Sequence, residues 1–137
     1  MLVGRHAALI RGPAGCGKSR LAWALIDAAA AGLIPFARLV ADDRVELTAS
    51  HGRLLIRAPS ALAGLIEVRG LGVRHLPYEA VAVAGLVIDL AAADSERIPA
   101  LSAQTAEING IRLLRLPVAT GADALAAVLA TLNSDPT

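Results

Sequence analysis

The sequence predicts a single α/β domain in which a mixed β-sheet is flanked by helices. Short apolar runs typical of buried strands recur along the 137 residues. A helix-patterned segment follows the first run, and another lies near the carboxyl end. A chain of this length forms one domain with a substantial core, so we expect residues 1–137 to fold as one unit.

The first apolar run, Ala7 to Ile10, is predicted to be a buried strand that leads into a glycine-rich stretch. This stretch matches the phosphate-binding P-loop, in which glycines let several backbone N–H groups point into one concavity. The positive end of the following helix adds to the attraction for phosphate. The residues predicted to bind the cofactor are Gly12, Pro13, Ala14, Gly15, Cys16, Gly17, Lys18 and Ser19.

Two side chains of the P-loop have predicted roles. Lys18 is expected to reach the β- and γ-phosphates of a nucleotide, and the Ser19 hydroxyl is expected to be a ligand of Mg²⁺. The alternative is a glycine-rich turn that binds nothing. The helix that follows is predicted over Lys18 to Ala31 and should end near Gly32, because its apolar residues have helical spacing.

The next apolar run ends in two carboxylates. Ala37 to Asp43 is predicted to be a strand that delivers Asp42 and Asp43 at its carboxyl end, where ligands sit in α/β sheets. If this strand is a parallel neighbour of the strand before the P-loop, the carboxylates face the phosphates. Adjacent strand residues point to opposite faces, so only one should face a nucleophile, while the other caps a turn or holds a metal-bound water. An isolated pair of this kind is more often a simple turn.

The rest of the chain predicts further strands and a terminal helix. Alternation in Leu65 to Val73 places Glu67 and Arg69 on one side of a strand, where they act at a site or form a surface ion pair. The other predicted elements are a hairpin over Val45 to Ala58, a short helix or turn at Pro59 to Gly64, a buried strand over Val81 to Ile88, a polar turn at Asp94 to Arg97, a hairpin around Asn109-Gly110, a helix over Ala122 to Leu132 and a frayed tail from Ser134 to Thr137.

Composition excludes several functional classes. The formal net charge is +1, and no basic stripe alternates with aromatic residues, so we expect no nucleic-acid partner. The longest apolar stretches fall well short of the ~20 residues that a membrane-spanning helix needs. The start does not resemble a secretory signal, and one cysteine permits no internal disulfide. We therefore expect a soluble, cytoplasmic protein that does not enter a membrane.

Three motifs, taken in order, resemble the kinase domain of bacterial HPr kinase/phosphorylase, which modifies a serine of the phosphocarrier protein HPr. They are the P-loop GPAGCGKS, the strand LVADDRVE at Leu39 to Glu46, and LIEVRGLGV at Leu65 to Val73. The chain is most similar to the short forms of the family, which lack the N-terminal domain.

The resemblance implies a P-loop fold of the HPr kinase and phosphoenolpyruvate carboxykinase type, with ATP and Mg²⁺ as cofactors. It also implies HPr or a paralogue as partner, control of carbohydrate metabolism through the phosphotransferase system, and a homo-oligomer, hexameric in the long forms.

The resemblance also implies roles for individual residues. Asp43 is similar to the carboxylate that takes the proton from the target serine and returns one to phosphate in the reverse reaction. Glu67 matches the metal-associated glutamate of the family, and Asp42 would be a further metal-associated carboxylate. Arg69 and Arg97 are similar to active-site arginines, although an arginine in a polar turn such as that of Arg97 is commonly just solvated.

Physical reasoning agrees with these roles. A serine hydroxyl is a poor nucleophile, so a carboxylate within hydrogen-bond reach, about 2.6 to 3.2 Å, would orient it and accept its proton. Phosphoryl transfer otherwise needs in-line positioning and cations over the equatorial oxygens, which Lys18, Mg²⁺ and an arginine can supply.

The sequence departs from the family in three places. The family places a catalytic histidine on the strand before the P-loop, upstream of where this chain begins, and His6 falls in the turn after that position, so we expect no role for it. Arg20 stands where an acidic residue is frequent. The basic loop of the long forms is not recognisable between Glu107 and Val118, which bears on phosphorylase activity and HPr docking.

Three functions therefore compete. The leading one is a protein serine kinase acting on HPr, with or without the reverse phosphorylase activity. The alternative is a P-loop domain without its catalytic histidine that senses ATP or phosphate and regulates a partner. The third, a small-metabolite kinase, would carry an arginine-rich lid and a longer gap before its acidic strand, and the sequence shows neither.

Overall fold

The computed structural model describes residues 1–134, so most of the predicted tail, residues 135–137, lies outside the described residues. It has a mixed α/β architecture, as predicted. Its elements are β1 (Leu2–Val3), β2 (His6–Arg11), α1 (Lys18–Ala30), β3 (Ala37–Arg38), β4 (Glu46–Ser50), β5 (Arg53–Arg57), β6 (Leu65–Val68), β7 (Gly72–His75), β8 (Ala82–Leu90), β9 (Thr105–Ile108), β10 (Ile111–Val118) and α2 (Ala124–Leu132).

The main sheet is built around three parallel strands. Its order is β3-β1-β2-β8-β10-β9, with β2, β8 and β10 parallel and the outer strands β1 and β9 antiparallel to their neighbours. The β4–β5 hairpin joins this sheet because β5 pairs with the first residues of β8. The β6–β7 hairpin is a separate two-stranded sheet. The carboxyl ends of the three parallel strands therefore lie together at one edge, where ligands bind in such folds.

Strand alternation divides the core between the two faces of the main sheet. On β8, Ile88 packs with the helices, and its neighbour Val87 packs with the β4–β5 hairpin. Both side chains are fully buried. The helices therefore cover one face of the sheet and the β4–β5 hairpin covers the other, because successive side chains of a strand point in opposite directions.

Helix α1 covers one face of the sheet with the apolar stripe that the sequence predicts. Leu21, Leu25 and Ala28 recur at helical spacing and are buried against the sheet. Ile66 of the separate hairpin is fully buried in the same cluster. The helix therefore holds the β6–β7 hairpin beside the main sheet. Within residues 1–134 no helix combines the length and the apolar character that crossing a bilayer requires.

The predicted strand over Ala37 to Asp43 is wrong in length and in its neighbour. Regular pairing ends at Arg38, and β1 lies between β3 and β2, although β3 and β2 run in the same direction. Leu39 then packs on the helix side of the sheet and Val40 on the hairpin side. The partner strand β1 has only two residues, so the two aspartates follow a buried segment outside the regular pairing and do not end a strand.

The predicted strand over Leu65 to Val73 is also wrong, because the segment is a tight hairpin. β6 ends at Val68, and the Leu71 N–H donates to the Val68 carbonyl at 2.9 Å to close the turn. Arg69 therefore lies in a turn and does not share a strand face with Glu67. The predicted turns at His51-Gly52 and Asn109-Gly110 are both confirmed, each with positive φ at its two residues.

Candidate functional site

The glycine-rich loop joins the carboxyl end of β2 to the first turn of α1. Gly17, at φ 100°, is the N-cap of the helix and supplies no side chain, so the first backbone N–H groups of α1 are left to point into the loop. The Lys18 ammonium donates to the carbonyls of Gly12 at 2.9 Å and Pro13 at 3.2 Å. The start of α1 therefore has backbone donors without a side-chain cap beside one cation, which is the chemistry of an anion site.

Gly12 is required by close packing at the root of the loop. A Cβ at this position would lie 2.6 Å from the Cys16 sulfur and 3.1 Å from the Leu90 carbonyl oxygen. Gly12 also has φ 155°, which few side-chain-bearing residues adopt. The sulfur of Cys16 thus lies against the backbone at the start of the loop, and the loop is anchored on the end of β8.

Ser19 is joined to Asp42 and, through it, to the separate hairpin. The Ser19 hydroxyl donates to Asp42 Oδ1 at 2.9 Å, and the Glu67 backbone N–H donates to Asp42 Oδ2 at 2.9 Å. One carboxylate therefore links the first turn of α1 to β6 across more than 20 residues of sequence. This places Asp42, rather than Asp43, next to the P-loop hydroxyl.

Asp43 shares a cavity with Lys18. Lys18, Asp42 and Asp43 all line this cavity, whose remaining wall includes apolar residues such as Val45 and Ile56. Within residues 1–134 the Asp43 carboxylate accepts no hydrogen bond, whereas Asp42 is occupied by two donors. The aspartates differ in their hydrogen-bond partners, but both lie in a bend after β3 and not on a strand, so the predicted strand alternation does not apply to them.

Arg69 lies over the P-loop. A Cβ built on Gly15 would be 3.9 Å from Arg69 Nη2, so the guanidinium lies next to the loop backbone. In the described part of the chain, Arg69 forms no ion pair with Glu67, whose side chain is exposed. The alternative of a surface Glu67–Arg69 pair is therefore not found, and Arg69 remains available to a ligand of the loop.

Two other residues considered from the sequence make none of these contacts. Arg97 is exposed in the segment between β8 and β9 and forms no ion pair within residues 1–134. His6 stands at the amino end of β2, against Gly85, where an added Cβ would lie 2.7 Å from the His6 Cβ. Five extended residues separate His6 from the P-loop side of β2, a distance of about 16 Å. His6 therefore lies at the opposite end of β2 from the P-loop.

The sequence reasoning missed a charged network at the carboxyl ends of the three parallel strands. Arg11 makes a two-fold contact with Asp89, from Nε at 2.7 Å and from Nη2 at 2.8 Å. Arg115 Nε donates to the same carboxylate at 2.5 Å, and its two terminal nitrogens donate to Asp94 at 2.8 and 3.0 Å. Arg11 directly precedes Gly12, so this network, which we call the strand-end network (Arg11, Asp89, Asp94 and Arg115), adjoins the root of the P-loop.

A signal for this network was present in the sequence. Asp89 is the one charged residue of the apolar run at β8, and a charge in a buried strand is rarely left unpaired. Arg11 and Arg115 likewise end or interrupt apolar strands. The pairing itself could not be predicted, because Arg11 and Asp89 are 78 residues apart in sequence.

The contacts of the strand-end network shift the pKa values of its members in favour of their charged forms. Hydrogen bonds from Arg11, followed by those from Arg115, hold the pKa of the Asp89 carboxyl below its ordinary value despite partial burial. The hydrogen bond to Arg115 likewise lowers the pKa of Asp94. Contact with Asp94 and then Asp89 raises the pKa of Arg115. The network is therefore ionised at neutral pH.

We expect Asp89 to make the domain less stable in acid. Its pKa is lower in the folded chain than in the unfolded chain, so its contribution to the free energy of unfolding is complete above the unfolded pKa of about 3.9. That contribution disappears as the pH falls through the lower, folded pKa. The urea midpoint of the wild type should therefore fall more steeply below about pH 4 than that of Asp89→Asn, in which only Asp94 of the network still titrates. Parallel pH profiles for the two proteins would contradict this assignment.

Comparison with known proteins finds curated relatives that share one name. The Clostridium tetani protein named HPr kinase/phosphorylase is 41% identical over 69 residues, which cover 50% of this chain and 20% of that protein. The Clostridium beijerinckii protein of the same name is 42% identical over 65 residues, 47% of this chain and 19% of that protein. The chain thus spans about a fifth of the length of the curated relatives it matches.

A solved structure is similar over a larger part of the chain. The Hpr(Ser) kinase/phosphatase from Coxiella burnetii has a TM-score of 0.76 and 24% sequence identity, covering 96% of this chain and 88% of that one. This likeness shows the fold. The family model described as the HPr Serine kinase C-terminal domain matches residues 3–133, almost the whole chain. The chain therefore belongs to the HPr Serine kinase C-terminal domain family.

Proposed function

We propose that this chain is an ATP-dependent protein serine kinase that uses Mg²⁺ and phosphorylates a serine of HPr or a paralogue. One observation carries the proposal: Lys18, Asp42 and Asp43 line the same cavity beside β2, and Asp42 also accepts a hydrogen bond from the Ser19 hydroxyl. The cavity therefore brings three groups together: a cation for phosphate, a carboxylate beside the P-loop hydroxyl, and a carboxylate with no partner among the described residues. Membership of the HPr Serine kinase C-terminal domain family supports the same reaction.

The residues beside the loop fit a magnesium ion. The Ser19 hydroxyl and the Asp42 carboxylate are adjacent oxygen donors next to the loop. Mg²⁺ is usually held by one or two protein oxygens together with substrate phosphates, and this pair of donors suits it. When bound, Mg²⁺ would neutralise charge on the β- and γ-phosphates.

The protein residues then divide the work of transfer. The loop amides and Lys18 hold the phosphates, and Arg69 adds a cation over the loop. Asp43 accepts a hydrogen bond from the serine hydroxyl and takes its proton as the oxygen attacks phosphorus. In the reverse direction, protonated Asp43 returns this proton to the serine oxygen and not to phosphate, because the serine oxygen is the leaving group when inorganic phosphate attacks phosphoserine. Glu67, at the start of the EVRG turn, is the second candidate metal-associated carboxylate.

Phosphate transfer to HPr tests the proposal directly. The chain is incubated with γ-³²P-labelled ATP, Mg²⁺ and HPr, and the label on HPr is measured against an HPr variant whose target serine is replaced by alanine. We expect label on HPr but not on its alanine variant. Adding inorganic phosphate to the labelled product tests the reverse reaction, which should release labelled pyrophosphate. Nucleotide binding without any transfer would contradict the kinase and favour the sensing module.

The Asp42 bridge leads to a further prediction. Asp42→Asn keeps the shape of the side chain but removes its negative charge, so the apparent affinity for Mg²⁺ should fall about 10-fold. Titration of Mg²⁺ at fixed ATP, followed by nucleotide binding, measures this change. Binding of ATP without Mg²⁺ should be nearly unaltered, and an unchanged Mg²⁺ dependence would remove Asp42 from the metal site.

A further inference from the structure

The segment between β8 and β9 has little apolar packing of its own. It carries Arg97, and two of its large apolar side chains, Ile98 and Leu101, are 81% and 84% exposed. Its regular structure is limited to a 3₁₀ turn at Leu101–Gln104. Something other than core burial must therefore fix its position, because such loops are otherwise mobile.

Arg115, on the neighbouring strand β10, holds this segment in place. Its side chain is only 14% exposed and donates to three separate parts of the molecule. Nε contacts Asp89 on β8 at 2.5 Å, both terminal nitrogens contact Asp94, and Nη1 also donates to the Ala103 carbonyl at 2.9 Å. A guanidinium can do this because its donors form a rigid planar fork.

The two loop contacts of Arg115 lie on either side of Arg97. Asp94 precedes Arg97 in the chain and Ala103 follows it, so one side chain gathers both ends of the intervening segment. Ser95 adds a weaker contact, its hydroxyl lying 3.4 Å from the Pro117 carbonyl oxygen of β10. The segment that carries Arg97 is thus a closed loop held at its base.

We propose that Arg115 is a positioning residue that holds the Arg97 segment at the phosphate-binding edge of the sheet through Asp94 and Ala103. The proposal rests on the proposed function and on the resemblance described above, which makes Arg97 an active-site arginine in addition to Arg69. Asp89 connects this anchor to the P-loop, because the same carboxylate also binds Arg11, the residue before Gly12. Arg97 acts on the substrate, and Arg115 acts through Arg97.

The kinetic test removes the contact between Arg115 and Asp94. Asp94 is exposed, and its loss leaves the Arg115–Asp89 pair intact. Asp94→Ala should lower kcat about tenfold and leave KM for ATP nearly unchanged, since displacement of a catalytic group by about 1 Å is enough for such a loss. In the Arg97→Ala background the same substitution should cause no further loss. Glu107→Ala, an exposed acid of β9 without an ion pair in residues 1–134, is the control and should behave as wild type.

Conservative replacement separates anchoring from charge. Arg115→Lys keeps a cation beside Asp89, but a single ammonium group cannot span Asp89, Asp94 and the Ala103 carbonyl together. Arg115→Lys should therefore reproduce the kcat loss of Asp94→Ala. A wild-type kcat for either variant, or an equal further loss in the Arg97→Ala background, would overturn the proposal.

A protease provides a readout that does not depend on catalysis. Trypsin cleaves after Arg97, and mass spectrometry follows the appearance of the Arg97–Ile98 cut, normalised to a synthetic peptide of residues 91–104 with the same substitution. Asp94→Ala should be cut faster than wild type and Glu107→Ala at the wild-type rate. Unchanged cleavage would refute the anchor itself. If the wild-type chain transfers no phosphate but trypsin still cuts Asp94→Ala faster than wild type, the kinase proposal is refuted and the anchor is not.

Discussion

Replacing Asp43 by asparagine is expected to abolish phosphorylation of HPr and to leave nucleotide affinity nearly intact. Asparagine keeps the size of the side chain but cannot take a proton from the serine hydroxyl. A positioned general base contributes about 10²- to 10⁴-fold to such reactions, so the rate should fall by a factor in this range. Because Asp43 lines the cavity but has no hydrogen bond to the P-loop within residues 1–134, its loss should not disturb the phosphate-binding backbone.

Two measurements check the role of Asp43. Single-turnover transfer of labelled phosphate gives the rate, and calorimetric titration gives the ATP affinity of the same preparation. Asp27→Asn is a suitable control, because it makes the same chemical change at an exposed position of α1. If Asp43→Asn transfers phosphate at the wild-type rate, Asp43 is not the base.

Lys18→Ala is expected to weaken both nucleotide binding and turnover. The Lys18 ammonium lies at the mouth of the loop, bonded to the carbonyls of Gly12 and Pro13. Its removal takes away a cation aimed at the terminal phosphates and also two internal contacts of the loop. We expect turnover to fall on the order of 100-fold, the loss seen when one preorganised donor to a charged transition state is deleted.

The composition of the chain permits a direct chemical test of Lys18. Lys18 is the only lysine in the sequence, so an amine-reactive reagent can modify one side chain and the terminal amine. Bound ATP should protect Lys18 from modification, and peptide mass spectrometry distinguishes the two amines. Arg20→Ala, an exposed cation two residues further along α1, is the control for turnover. A fully active Lys18→Ala variant, or equal labelling with and without ATP, would contradict the P-loop assignment.

The elements that the sequence predicted well are those determined by local pattern. The helix predicted at Lys18 to Ala31 is found at Lys18–Ala30, and the helix predicted at Ala122 to Leu132 is found at Ala124–Leu132. Both helices have apolar residues at helical spacing, and the hairpins have turn residues that favour positive φ. These signals depend only on neighbours in sequence.

The errors arose where distant parts of the chain decide the local structure. The run after Ala37 resembles a strand, but its partner β1 has only two residues, so regular pairing ends at Arg38, and the local sequence does not reveal that partner. The sequence placed Asp42 and Asp43 near the P-loop through a parallel neighbouring strand that is not formed, and the Ser19–Asp42 hydrogen bond brings Asp42 there instead. The strand-end network was missed because spacing carries no information about which arginine meets Asp89.

The bond between the Glu67 amide and Asp42 has a consequence for spectroscopy. This amide proton ends on the same carboxylate that binds the Ser19 hydroxyl. A magnesium ion drawn to Asp42 would withdraw electron density from that oxygen pair and change the resonance frequency of the Glu67 amide. In a ¹⁵N-labelled sample, the cross-peak of the Glu67 amide on the β6–β7 hairpin should therefore move on addition of magnesium nucleotide. This makes Glu67 an intrinsic probe of occupancy in a chain that has one tryptophan and one tyrosine.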